Sequence, residues 1–485
     1  MKKNSLLQKL VLLLSLIIYL TILGNQYFSW NLLGMNPLTL SMLGIFISSL
    51  LLWLFIAIDW PSLLCLLGMA LIPEVGFTKI LPLSFGNITF AFLLFTFLLT
   101  YSLEQTYFIK RVTAWALHSR WAQASSWKLL IAFYCVMLCL GSFISPTILF
   151  MIAYPIFEEL AHQFGFDKGN RNAAIMLFTL YTTIAIGTAM TPINHVFAIT
   201  AIGLYEAAFK ASISYFQYMM IGIPTGILIF IFLLIFIKYV WKLELAEVTS
   251  QRLESLKSIP KMSREEKWIV TVFAMVVAMW LLPELFVMIL PGLSAFFKQA
   301  GIVFPPLMGV IMLAVIRISG KPLLDINKAM KEGVYWPSLL LVAATLALGS
   351  MLANENVGIV ALLNNGISPI FNNLSGFVVV LIFVIWAGLQ TNLSSNLVTV
   401  SVVSAVAIAL ANSLDFSANS ALIAVFIGFM SSMAMMTPPA MPYVAIAIGE
   451  RWLTSRQALI FGFWILVVTI LSCMLVGYPI GSEIL

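Results

Sequence analysis

The sequence predicts an all-α polytopic membrane protein folded as an inverted repeat, with two re-entrant hairpins, two broken helices and about 11 transmembrane helices. Three observations predict it. Apolar residues make up 62% of the chain and charged residues 9%, with a mean hydropathy of +1.05, which excludes a water-soluble globule. Apolar runs long enough to cross a hydrocarbon core, roughly 20 residues each, recur from end to end. A fourteen-residue stretch opening on a Met-Thr-Pro step is written twice, as MTPINHVFAITAIG from Met190 to Gly203 and as MTPPAMPYVAIAIG from Met436 to Gly449.

The first apolar run follows Lys2 and Lys3 without a convincing small-residue cleavage site, so it reads as a transmembrane helix at about 7–24 rather than a signal peptide. Helices follow at about 39–57, 61–72 and 88–104, then a hairpin at about 127–163 and a broken helix at about 171–207. A helix at about 218–241 closes the first half, residues 1–241. The one long polar loop carries both charge signs, and residues 242–266 read as a cytoplasmic linker. The second half, 267–485, has helices at about 267–289, 301–318 and 337–353, a hairpin at about 375–411, a broken helix at about 419–449 and a last helix at about 456–480.

The basic residues fix the threading. With a cytoplasmic N-terminus and both hairpins turning back, only Lys79, Lys210 and Lys298 of the 25 Lys and Arg residues fall outside. That asymmetry satisfies the positive-inside rule and puts the C-terminus outside. Making either hairpin span would invert every later loop. The same scatter of charge, with no basic stripe, excludes a nucleic-acid partner. Four cysteines, Cys65, Cys135, Cys139 and Cys473, lie in apolar runs with no zinc or disulfide spacing.

The two Met-Thr-Pro stretches share six of fourteen positions at an offset of 246 residues. A second pair stands at nearly the same offset: Ser145 in GSFISPTILF and Ser395 in TNLSSNLVTV are 250 apart. By the threading above, the copies enter the membrane from opposite sides. Inverted repeats with interrupted helices are a signature of secondary transporters, whose substrate lies near the midplane where the breaks meet.

Capping explains the chemistry of the breaks. Proline suits the first helical position, and a preceding Ser, Thr or Asn caps the free amides. Ser145-Pro146, Thr191-Pro192 and Thr437-Pro438 fit that pattern, and Ser395-Asn396 fits its capping part. Four half-helix N-termini meeting at mid-membrane would hold an anion by amides and hydroxyls, and no Lys or Arg lies near these stretches. Freed carbonyls could coordinate Na⁺. An isolated Thr-Pro step is as readily a kink, but two matched pairs favour the site. His195, the one ionisable residue beside a break, reads either as a proton-coupling or substrate group or as a packed structural histidine, and Met441 takes its place in the second copy. Glu158 and Glu159 read as interfacial, and the run GFMSSMAMM as lining or packing.

This order of a serine-led hairpin, a helix broken at Thr-Pro, and the same again inverted resembles the divalent anion/sodium symporter (DASS) family over essentially the whole chain. Family members carry Ser-Asn-Thr at both hairpin tips; the matching triplets are Ser145-Pro146-Thr147 and Ser395-Asn396-Leu397. Pro155 and Thr391 support the register. The family's small residue followed by Ser/Thr-Pro-Pro-Asn matches Met190-Thr191-Pro192-Ile193-Asn194 and Met436-Thr437-Pro438-Pro439-Ala440.

The resemblance implies a cell-membrane secondary transporter of succinate, malate, 2-oxoglutarate or citrate, working as a homodimer by an elevator motion, with Na⁺ as coupling ion or by anion exchange. Carried over by position, the substrate site comprises Ser145, Pro146, Thr147, Thr191, Asn194, Ser395, Asn396, Thr437 and Pro438. Sodium would draw on Ser145 with the backbone around Met190, and on Thr391, Ser395 and Asn396 with the backbone around Met436. The chain departs from the family at Pro146, Leu397, Met190 and Met436, and the two methionines are expected to shrink the cavity. A sodium-independent exchanger, or a carrier of another anion such as sulfate, is the alternative. A channel would need a charged or polar pore ring and an enzyme a catalytic cluster, and neither pattern is present; no catalytic residue and no other cofactor are expected.

Overall fold

The computed structural model describes residues 2–28, 30, 32, 35–193, 195–246, 259–285, 287, 289–358, 374–413, 417–438 and 440–485. Residues 247–258 of the linker and Asn194 lie outside the described residues. Among the described residues the chain is helical almost throughout, with one two-residue antiparallel β pair, β1 (Arg317–Ile318) and β2 (Lys321–Pro322).

The first half begins with α1 (Lys2–Phe28), α2 (Pro37–Phe55), α3 (Trp60–Ala70), α4 (Gly76–Leu83), α5 (Ile88–Glu104) and α6 (Phe108–Leu117). The first hairpin is α7 (Ser126–Gly141) and α8 (Pro146–Gln163), and the first broken helix is α9 (Arg171–Met190) and α10 (Val196–Phe209), followed by α11 (Tyr215–Ile235). The second half opens with α12 (Arg264–Leu285), α13 (Pro291–Ala300), α14 (Phe304–Val315), α15 (Ile326–Glu332) and α16 (Trp336–Leu352). Its hairpin is α17 (Gly376–Leu393) and α18 (Asn396–Ser413), its broken helix α19 (Ser417–Ser432) and α20 (Pro442–Gly449), and it closes with α21 (Ser455–Ser472) and α22 (Tyr478–Ile484).

Among the described residues six helices are long and apolar enough to cross a membrane alone, or eight if the bent pairs α4–α5 (47°) and α15–α16 (78°) each count as one span. The sequence reading of about 11 takes each broken helix as one span, includes the short piece at about 61–72 and leaves both hairpins out. The hairpin and break segments α7, α10, α18 and α19 belong to a set of apolar helices only 10–17 residues long over their described apolar parts. At 1.5 Å per residue none of these reaches across about 30 Å by itself. The helix expected at about 61–72 is likewise only the 11-residue α3, and α6 and α13 were not anticipated.

Both halves repeat the same local chemistry. After each broken helix the chain turns through a positive-φ basic residue, Lys210 (φ 53°) and Arg451 (φ 64°). The next helix then starts with a reciprocal capping box, Ser214 with Gln217 and Thr454 with Gln457. Each box satisfies two amides that would otherwise be orphaned at a helix start. The halves also interlock: α10 packs on α18 and α19 of the second half, while α20 packs on α8 and α9 of the first.

Away from the cavity the helices are closely packed. Helix α9 is buried from Ala173 to Met190, whereas α1 lies on the outside with most of its length exposed. Helices α7 and α9 meet backbone to backbone. A side chain at Gly187 would put its Cβ 2.3 Å from the Leu138 carbonyl oxygen, and one at Gly141 would lie 2.9 Å from that of Ile184. Small residues permit this approach where lipid gives helices no hydrophobic reason to associate. At the membrane edges, Arg111 pairs with the buried Glu266 at 3.0 Å and donates to the Pro260 carbonyl at 2.9 Å. Lys168 reaches Glu450 at 2.9 Å, joining two turns that the charge pattern assigns to the cytoplasmic side.

Gly187→Val is expected to force α7 and α9 apart, at a cost of about 1–3 kcal/mol or more, read as a fall in detergent-solubilised melting temperature and monodisperse yield. A variant as stable as the native protein would show that the close approach is unnecessary.

Candidate functional site

The four interrupted elements converge on one cavity of about 610 Å³. The first hairpin tip contributes Ser145, Pro146, Thr147 and Ile148, and the second Ser395, Asn396 and Leu397. The restarted helices contribute His195 to Phe197 and Ala440 to Pro442, and α5 and the α15–α16 junction close the other walls. Among these lining residues the titratable ones are Glu104, His195, Glu332 and Tyr335, with no Lys or Arg. Glu332 accepts a hydrogen bond from Tyr101 at 2.7 Å.

The hairpin tips present amides. In α8 the Ser145 carbonyl accepts the first helical bond, from Leu149 N, and in α18 the Ser395 carbonyl accepts from Thr399 N. A helix start leaves the N–H groups inside that first bond without an intrahelical acceptor. These belong to Thr147 and Ile148 in one tip, and to Asn396, Leu397 and Val398 in the other. Pro146 has no N–H to offer. The Ser145 hydroxyl makes no capping bond, contrary to the expectation from Ser145-Pro146, so the amides of its helix stay open. The Asn396 side chain is 3% exposed, and neither its Nδ2 nor its Oδ1 has a partner among the described residues.

The Thr-Pro steps serve differently from expectation. Thr191 caps the C-terminus of α9, and α10 restarts only at Val196, with His195 in the N-cap position. In the second copy the helix restarts at Pro442 after Met441. Neither Thr191, Thr437 nor Pro438 lines the cavity. The threonine hydroxyls instead donate to hairpin carbonyls, Thr191 to Ser142 and Thr437 to Asn392. Each half therefore ties its hairpin tip to its broken helix by the same side-chain-to-backbone bond. Sequence reasoning missed the receiving residues, although a polar residue three places before the hairpin serine, Ser142 and Asn392, stands in both copies.

Asn392 does more in the second half. Its Oδ1 accepts from the amides of Met435 and Met436 at 2.8 and 2.9 Å, and its Nδ2 donates to the Gly388 and Met433 carbonyls at 2.8 and 3.0 Å. Tyr181 donates to the Met435 carbonyl at 3.1 Å, and Thr391 to that of Ser431 at 3.0 Å. One amide side chain thus replaces much of the bonding that α19 loses where it stops.

Met190 and Met436 do not line the cavity and do not shrink it. They fill notches in the neighbouring helices, where a Cβ on Gly226 would lie 2.3 Å from Met190 Cγ and one on Gly462 2.5 Å from Met436 Cγ. A larger residue at the break is accommodated by glycine behind it. Asn194 lies outside the described residues.

Hairpin tips and restarted helices enclosing a single cavity between two halves define the architecture of a secondary membrane transporter. More narrowly, the chain belongs to the citrate transporter (CitMHS) family, whose model matches residues 45–428. It is similar to the sodium-dependent dicarboxylate transporter SdcS of Staphylococcus saprophyticus, at 25% identity over 96% of this chain and 91% of that protein. SdcS of Staphylococcus aureus (strain MRSA252) aligns with the same identity and coverage. The Alcanivorax borkumensis YdaH transporter, whose crystal structure is described as having an unusual topology, shares the fold with a TM-score of 0.60 at 14% identity, covering 84% of this chain and 88% of that one.

Thr191→Val and Thr437→Val are each expected to cost about 1 kcal/mol and to speed amide hydrogen exchange at residues 142–148 and 392–398 respectively. Unchanged exchange at both tips would mean that these hydroxyls do not hold the hairpins.

Proposed function

We propose that the protein is a secondary transporter of small di- and tricarboxylates, of which succinate, malate and citrate are the test cases, and that the substrate occupies the cavity between the hairpin tips. The observation that carries this reading is the chemistry of the wall: open helix-start amides and the unpartnered Asn396 amide, with no buried cation to compete for the anion. Helix N-termini favour carboxylates through aligned N–H groups and the positive dipole end. Ser145, Thr147 and Ser395 add hydroxyls at the same wall. The family membership and the relatives' names support the carboxylate class. Movement of hairpins and broken helices against the remaining helices, in a homodimer with a cytoplasmic N-terminus, is the cycle we adopt from the family resemblance.

Coupling to Na⁺ belongs to the same reading, since the relatives carry sodium dependence in their names. The two candidate ligand sets fit it unequally. In the first, Gly141 stands four residues before Ser145 where the second hairpin has Thr391, and Pro146 stands where it has Asn396. The Met190 carbonyl is packed against Gly222, where a Cβ would come within 2.7 Å of the oxygen, and the Ala189 carbonyl accepts from Tyr218 at 3.0 Å. That set does not fit. In the second, Asn396 Oδ1 is buried without a partner among the described residues, and Thr391 Oγ1 keeps acceptor capacity while donating to Ser431. We assign a coupling Na⁺ to Thr391, Ser395, Asn396 and the backbone around Met436, where its charge would offset that of the substrate.

In proteoliposomes, saturable counterflow of labelled succinate or citrate is expected, and Asn396→Ala is expected to lower it about 10-fold or more, for a loss of about 1–3 kcal/mol. Failure of every carboxylate to move under any gradient would refute the reading. Replacing external Na⁺ by K⁺ should weaken wild-type uptake, and Thr391→Val should blunt that response. Uptake indifferent to sodium would instead favour the exchanger.

A further inference from the structure

His195 lines the cavity beside the hairpin tips, and the transport reading above gives it no task. Its imidazole is 2% exposed and leans edge-on against Phe197. Nε2 lies 2.7 Å from Ser432 Oγ, and that oxygen lies 3.1 Å from the Gly428 carbonyl, which can only accept. A serine hydroxyl has one proton to give. Directed to Gly428, it leaves Oγ to accept from Nε2–H. The neutral ring then carries a bare lone pair on Nδ1, which has no partner among the described residues.

This contact joins the restarted helix of one half to the broken helix of the other, and the repeat does not duplicate it. The positions equivalent to His195 and Ser432 at the 246-residue offset are Met441 and Ile186. An unpaired buried acceptor is costly to keep, so a histidine held in this tautomer at a substrate cavity calls for a donor. Carboxylates offer only acceptors; a substrate hydroxyl offers a donor.

We propose that His195 is a specificity-determining residue that accepts a hydrogen bond at Nδ1 from a substrate hydroxyl, so that the site prefers hydroxylated carboxylates to their unsubstituted analogues. The inference rests on the carboxylate reading and deepens it. Sites built to hydrogen-bond a hydroxyl discriminate strongly against analogues that lack it, because the protein group is then left unpaired. Ser432 is a positioning residue that fixes the tautomer.

The other donor that could meet Nδ1 is a proton, and a pH series separates the two. The groups that could influence such a titration are Tyr101 and Glu104 on α5, and Glu332 and Tyr335 at the α15–α16 junction. Helices α16, α18 and α19, which also pack on α10, carry no titratable side chain, and the Tyr205 and Glu206 of α10 stand ten and eleven residues from His195.

The experiment compares L-malate with succinate, and citrate with tricarballylate, as competitors in a binding assay on purified full-length protein between pH 6.5 and 8. Malate is expected to bind about 10-fold tighter than succinate or more, at a ratio independent of pH. His195→Met, which installs the residue of the second repeat, should bring the ratio close to one while succinate still binds. Ser432→Ala should lower the ratio in the same direction, with succinate affinity kept. Equal wild-type affinity for malate and succinate overturns the inference, as does a preference that survives His195→Met. So does joint tightening of both ligands as pH falls, which would put a proton at Nδ1. Binding without discrimination overturns this inference alone; absence of all carboxylate binding overturns the transport reading with it.

Discussion

Everything at the centre of this protein depends on one constraint: a helix stopped inside hydrocarbon must have its freed backbone groups satisfied by protein. The chain meets it twice with the same bond, a threonine hydroxyl from the break onto a hairpin carbonyl. That bond fixes where each hairpin tip sits, and the tips fix the cavity. In the second half Asn392 adds three further bonds to the stretch from Met433 to Met436, which has no helix to support it. The first half combines close backbone packing through Gly141 and Gly187 with side-chain bonds from Ser142 to the Gly187 carbonyl and from Tyr218 to that of Ala189. Two copies of one motif thus share the threonine bond and differ in what surrounds it: closer backbone contact in the first, a multiply bonded asparagine in the second.

Under the proposed function, a bound anion and its coupling cation would meet unlike surroundings in the two halves, since Asn396 has no counterpart at Pro146 and Thr391 none at Gly141. Cross-packing of α10 with α18 and α19 makes those halves neighbours.

Much of the architecture was legible in the sequence because it rests on long-range regularities of hydropathy, charge and repeated text. The hairpins and broken helices follow from the matched offsets, and the family resemblance adds the meeting of Ser145, Pro146, Thr147, Ser395 and Asn396 at one cavity. The roles of Thr191 and Thr437 did not, because capping rules treat a Thr-Pro step as a helix start, whereas both restarts fall several residues later, at Val196 and Pro442. The methionines misled for a related reason. Residue size along the chain carries no record of the space for Met190 and Met436, which is made by glycines in α11 and α21. Asn392 is the neighbour of Thr391, and its four bonds depend on a three-dimensional arrangement that no spacing records.

The contact between His195 and Ser432 spans 237 residues of chain. During synthesis, at about 5–20 residues per second, the histidine enters the bilayer roughly 10–50 seconds before its serine exists. For that interval the first half carries a polar ring at membrane depth with its intended neighbour still unmade. Completion of the first half is thus deferred to the second, and the two are obliged to mature as one unit however clearly the sequence divides them.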